Sequence, residues 1–198
     1  MRAAAYLVLL VAVMMLALAP GAAAADGSWL DARAGQWNSP GMAVPTAPTA
    51  GDLVNAHCER YVRPATTDED AQVVAQGWRL ESAGQYGWGV VVVRGTVSFD
   101  ANCRPFGHQA FVFVDGVFSG TLAPDAMAAR SDGGLTAIYL FASDAVTGIY
   151  DRYAPTDPLC CPWGKTMLRF TIERTPDGPV LTPDWSSATD IRGSAADA

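Results

Sequence analysis

The hydrophobic pattern divides into one continuous apolar block near the start and a series of short runs of β type. Residues 6–19 are apolar without interruption, and no long helical period returns after them. Residues 88–99, WGVVVVRGTVSF, are rich in β-branched side chains and too apolar for a surface loop. They predict a long, largely buried strand with Gly95 as a bend or bulge. In residues 110–122 two apolar segments flank Asp115-Gly116. That pair is a preferred two-residue hairpin turn, because both central positions need positive φ. Residues 135–141, 146–153, 166–173 and 180–181 predict further strands, the last two joined around Pro176-Asp177-Gly178. Residues 67–77 open on a capping threonine, carry Asp68, Glu69 and Asp70 in the first turn and end at glycine, which predicts a short helix. One or two further helical turns are expected over residues 124–130. Strands that do not alternate with long helices disfavour a parallel nucleotide-binding sheet. The expected fold is mainly β: a single antiparallel β-sheet domain with one or two short helices.

The first block has a different meaning. Arg2, the apolar stretch, Pro20-Gly21 and a run of alanines form the pattern of a secretory signal peptide. At 14 residues the stretch is shorter than the roughly 20 that a spanning helix needs. We therefore expect a signal peptide at 1–25, an Ala/Pro-rich linker at 26–51, the β-rich domain at 52–185 and a flexible tail at 186–198. Trp29 and Trp37 lie within the linker, where one of them is expected to dock on the domain. The implied location is secreted, extracellular or at the cell envelope, with no transmembrane segment in the mature chain. The formal net charge is −7, and loss of Arg2 with the signal peptide makes it −8. Lys165 is the only lysine. Nucleic acid is thus disfavoured as a partner, since phosphate binding relies on clustered cations.

The candidate chemistry rests on four cysteines, two histidines and the tryptophans. In an exported chain Cys58, Cys103, Cys160 and Cys161 are expected to form disulfides that staple the fold. Adjacent residues have Cα atoms about 3.8 Å apart, below the usual disulfide span. The favoured pairing therefore splits Cys160 and Cys161 between Cys58 and Cys103, with Cys58–Cys103 plus Cys160–Cys161 as the alternative. His57 and His108 are the only histidines. No CxxC or HxxxH spacing joins them to the cysteines, so no metal and no cofactor is expected. There is no GxSxG elbow, and Ser119 sits in a hairpin arm, so no catalytic residue is assigned. Trp78, Trp88 and Trp163 are candidate ligand contacts, with Tyr86 and Trp185 as further aromatics that a sugar or peptide groove would use. The resulting expectation is an exported, non-catalytic binding or structural module whose partner is an envelope or extracellular protein or glycan. Two alternatives stand beside it: a secreted hydrolase using His57 or His108, and a thiol-based metal or redox protein using Cys160 and Cys161.

Two segments carry a family resemblance: FVFVDGVFSGT at residues 111–121 and DPLCCPWG at residues 157–164. In this order, and followed by a closing strand, they resemble the LppP/LprE family of envelope lipoproteins over about residues 75–175. The resemblance implies an exported bacterial protein tied to the cell envelope. It supplies no enzymatic chemistry and no catalytic residues. The chain departs from a lipoprotein pattern in that its first cysteine is Cys58, far behind the apolar block. Trp163 also stands where a small residue is more usual.

Overall fold

The computed structural model describes residues 27–49 and 56–192. The expected signal peptide lies outside the described residues. Among those described, nine strands form two antiparallel sheets. The first sheet holds β1 (Arg79–Leu80), β2 (Gln85–Gly87), β3 (Val90–Phe99), β4 (Pro105–Val114) and β5 (Val117–Thr121). Its order is β1-β3-β4-β5, with β2 also paired to β3. The second contains β6 (Leu135–Ala142), β7 (Ala145–Arg152), β8 (Gly164–Thr175) and β9 (Gly178–Arg192) in sequence order. A 3-10 turn at Ala56–Tyr61 and helix α1 (Asp68–Ala75) precede the strands. The mainly β, antiparallel expectation holds, with the strands divided over two sheets.

Alternation along β3 and β4 sends side chains to two different cores. Val90, Val92, Ala110, Val112 and Val114 face the second sheet and pack with Leu135, Val146, Tyr150, Leu168, Phe170 and Leu181. On the opposite face Val93, Val97, Phe111, Phe113 and Phe118 pack with Val73 of α1, Trp78, Leu80 and Val44. Both faces of β3 are therefore covered, which explains its unbroken valine run. Each such buried side chain contributes about 1.5–3 kcal/mol.

Several local expectations hold. Asp115 and Gly116 adopt φ of 50° and 81°, as their hairpin turn requires. The Thr67 side chain caps α1 by accepting from Asp70 N at 3.2 Å. Others are corrected. Trp88 and Gly89, with φ of 53° and 75°, form a turn that divides residues 88–99 into the end of a β2–β3 hairpin and β3 proper. Gly95 is no bulge, since it pairs in register with Gln109 and Leu80. A Cβ there would lie 3.2 Å from Phe111 and from the Trp78 Cβ, so glycine admits close packing. Residues 124–130 are not helical. Met127 instead forms an isolated bridge with His108, through N–H to O distances of 2.7 and 2.9 Å. The expected tail also differs, because β9 runs to Arg192 and so includes residues 186–192.

The segment expected as a linker packs on the domain over its described residues 27–49. Both of its tryptophans dock: Trp29 Nε1 donates to Gly133 O at 3.2 Å, and Trp37 Nε1 to Thr121 O at 3.1 Å. Between the sheets, Asn38 Nδ2 donates to Thr121 O and Leu181 O, while its Oδ1 accepts from Thr121 N. One buried amide thereby ties β5 of the first sheet to β9 of the second.

The cysteine pairing is corrected too. Cys58 is bonded to Cys103 with Cα atoms 5.3 Å apart, because the 3-10 turn sets Cys58 against the β3–β4 turn. Neither residue is then left for the loop between β7 and β8, which belongs to the other sheet. There the sulfurs of Cys160 and Cys161 meet each other, with Cα atoms 3.8 Å apart. The split double staple does not form.

Candidate functional site

Three ionisable side chains converge where β1, β3 and β4 meet the open end of the intersheet space. Register places them there. Arg94 shares the parity of Val90 and Val92, and His108 that of Ala110 and Val112, so both point toward the second sheet. Leu80 faces the outer core, and Glu81, whose N–H donates to Arg94 O, turns the other way. Glu81 and His108 are 6% and 4% exposed.

This arrangement leaves hydrogen-bonding capacity unused. Arg94 Nε lies 3.3 Å from Glu81 Oε1, close enough for ion pairing but not aligned as a hydrogen bond. Glu81 Oε1, Arg94 Nε and His108 Nε2 are each buried without a hydrogen-bond partner. Burial raises the Glu81 carboxyl above its usual range, an effect that Arg94 opposes. Burial, reinforced by the Arg94 charge, lowers His108 to about 4. The imidazole is therefore neutral at pH 7. Its 3.9 Å approach to Glu81 through Nδ1 is a dipolar contact, not an ion pair.

Two clefts open on this cluster. One, of ≈ 260 Å³, is lined by Arg94, Pro105, His108, Leu135, Thr136 and Asp151, among others. Its neighbour, of ≈ 430 Å³, is lined by Glu81, Ser82, Arg94, Phe99, Cys103 and Pro105, with Tyr61 at its side. Arg94 and Pro105 are common to both. His108 thus lines the first cleft, Glu81 the second and Arg94 both. Together they supply donors and acceptors for a hydroxyl-bearing ligand at low net charge.

The other predicted residues are dispersed. His57 is exposed on the 3-10 turn, with Nε2 3.3 Å from Cys58 Sγ. Among the described residues His57, Cys58 and Cys103 are the one group of potential metal ligands that converge, with ligand atoms within 4.8 Å. The two sulfurs are bonded to each other, so they are not available as thiolates. Trp78 is buried in the outer core and donates to Pro45 O at 2.7 Å. Trp88 is 60% exposed at its turn, and Trp163 lies against Arg152, 5.4 Å from guanidinium carbon to ring centroid. These three tryptophans do not form one groove. Tyr86 is exposed, and Trp185 is half-buried with its indole N–H bonded to Ala34 O. Ser119 is buried in β5 and lines neither cleft.

Glu81 and Arg94 were not among the residues singled out from the sequence, although a signal was present. A charged residue two positions beyond Val92 and four beyond Val90, on their strand face, is an anomaly that asks for a partner. Glu81 carries no such mark, because β1 is only two residues long.

The fold and clefts define a two-sheet β domain with a buried charged cluster beside two surface clefts. Residues 87–175, from the end of β2 to the end of β8, match the model of the LppP/LprE lipoprotein family. The chain is similar to that family over this span, which contains Arg94, His108 and the Cys160-Cys161 loop but not Glu81. No curated protein and no solved structure matches the chain. Among the described residues, no helix is long and apolar enough to cross a membrane.

Proposed function

We propose that this chain is an exported protein of the bacterial cell envelope that acts as a non-catalytic binding module, holding a small hydroxyl-rich ligand in the recess at Glu81, Arg94 and His108. The observation that carries this reading is His108, a residue 4% exposed that lines a cleft while its Nε2 has no hydrogen-bond partner. A buried polar atom without a partner costs about 1–3 kcal/mol, and a ligand hydroxyl would recover it. Glu81 offsets Arg94 in the cluster and Asp151 offsets Arg130 along the smaller cleft, which favours an uncharged polyol or sugar over a strong anion or cation. The similarity to the LppP/LprE lipoproteins supports an envelope location, as does the signal-peptide pattern of residues 1–25.

The hydrolase alternative needs a pocket around a histidine, and His108 lines one. That pocket is nonetheless lined by no serine or cysteine. Its one hydroxyl, Thr136 Oγ1, is bonded to Ile149 O at 3.1 Å. A histidine with a pKa of about 4 is also a weak general base at neutral pH. Binding is therefore the reading the geometry supports.

Calorimetric titration with a panel of neutral mono- and disaccharides tests it, with a sulfated sugar and a cationic amino sugar as controls. The expected result is saturable binding of a neutral member, weakened at least tenfold in His108→Phe and Arg94→Met proteins that retain the wild-type circular dichroism. Equal binding by wild type and both variants, or no binding across the panel, would overturn the proposal.

A further inference from the structure

The loop between β7 and β8 carries a second chemistry, unrelated to the recess. Cys160 and Cys161 are both exposed, and Leu159 beside them is 62% exposed. The bond between Cys58 and Cys103 spans 45 residues and has one partner fully buried. It therefore constrains a long segment of the unfolded chain. A bond between neighbours encloses no chain at all, so it removes almost no loop-closure entropy and does not staple the fold. Its location does not protect it from solvent thiols either.

The loop is held in shape without the sulfurs. The Asp157 carboxylate accepts from Ala154 N at 2.8 Å and from Trp163 N at 3.2 Å. Cys161 N donates to Pro158 O at 2.9 Å, and the Tyr153 hydroxyl donates to Leu159 O at 3.1 Å. Trp163 closes the loop against Arg152, which is itself fixed by Asp31 and Asp132. The sulfur–sulfur bond is thus free to open and close while its surroundings stay in place.

We propose that Cys160 and Cys161 form a redox-active pair that exchanges two electrons with a dithiol partner at the protein surface. In the reducing direction, one thiolate of the partner attacks a protein sulfur. The Sγ–Sγ bond breaks, and the other protein sulfur leaves as a thiolate and is protonated from solvent. The partner's second thiolate then attacks the mixed disulfide and releases the remaining protein thiolate, which also takes a proton. The partner ends as a disulfide and the protein as a dithiol, and oxidation is the same sequence reversed. Leu159 and Pro158 offer an apolar ledge beside the sulfurs on which such a partner can rest.

The test is graded reduction of the folded, oxidised protein with dithiothreitol, followed by acid quench, alkylation and peptide mass mapping. Cys160 and Cys161 should be labelled together at concentrations that leave Cys58 and Cys103 unlabelled and the circular dichroism unchanged. Oxidised glutathione in excess should close the pair again once the dithiothreitol is removed. Labelling of the pair only together with Cys58 and Cys103 would overturn the proposal. So would a link from either residue to Cys58 or Cys103, or thiols that stay open in the presence of the oxidant. A Cys160→Ser/Cys161→Ser protein supplies an independent reading. It should melt with the oxidised wild type, and a fall as large as that of Cys58→Ser would mark the pair as a structural bond and overturn the proposal.

Discussion

Asn38 shows how much one side chain can carry in this molecule. It is 2% exposed and satisfies backbone groups of both sheets at 2.8–3.1 Å. Gly120, at φ 142°, leaves space for it, since a Cβ there would collide with the Asn38 amide. Asn38→Ala leaves Thr121 N–H and two carbonyls buried without this partner, and urea unfolding should register a loss of about 2–3 kcal/mol. His108 makes a different prediction, one of pH. Its folded pKa, about 4, lies below the ordinary histidine value of 6.5, so the unfolded chain binds more protons in that interval. Stability from this group is full above pH 6.5 and is lost as pH falls toward 4, by about 3 kcal/mol in all. Glu81, whose carboxyl is raised, acts in the opposite sense and weakens the fold as pH rises through its own transition. The difference between wild type and His108→Gln, measured by urea unfolding from pH 7 to 4.5, isolates the histidine. A difference that does not change with pH would contradict its burial as a neutral ring.

At the scale of elements, what could be read from the sequence was whatever local chemistry dictates. The Asp115-Gly116 turn and the Thr67 cap each rest on a residue whose own conformation or side chain decides the outcome. The Trp88-Gly89 turn was hidden because a bulky residue at φ 53° is an unusual occupant, and the valines that follow it dominate the pattern. Residues 186–192 look like a tail because they are small and polar, yet they belong to β9, and residues 189–192 pair with β8 on an exposed edge, where no apolar period is needed. The recess escaped for another reason: positions 81, 94 and 108 are brought together only by the register of three strands. Gly95 belongs to this scale as well. It lies where β3 passes under α1 and Trp78, with Val73 Cγ1 3.4 Å from the place of a Cβ. Gly95→Val should destabilise by about 1–3 kcal/mol through overpacking, measured by thermal or urea unfolding.

For the molecule as a whole, two sheets are joined by an N-terminal strap and closed at one corner by a long-range disulfide. The strap's Asp31 carboxylate takes two bonds from Arg152, at 2.7 and 2.8 Å, and Arg152 also binds Asp132 and Thr166. Cys103 lines the larger cleft, so its bond to Cys58 holds one wall of the recess. Cys58→Ser should lower stability by about 2–4 kcal/mol. It should also weaken ligand binding, because the wall that presents Glu81 loosens with it. The central claim is that His108 waits, neutral and unpartnered, for a ligand hydroxyl. Its ring nitrogens report this directly in long-range ¹H–¹⁵N spectra of the labelled protein, followed through a titration with the neutral saccharides. The account predicts an imidazole that stays neutral down to about pH 4 and whose Nε2 resonance moves to saturation with one ligand while His57 stays still. A histidine that titrates near 6.5, or an Nε2 resonance unmoved by every ligand in the panel, would contradict it.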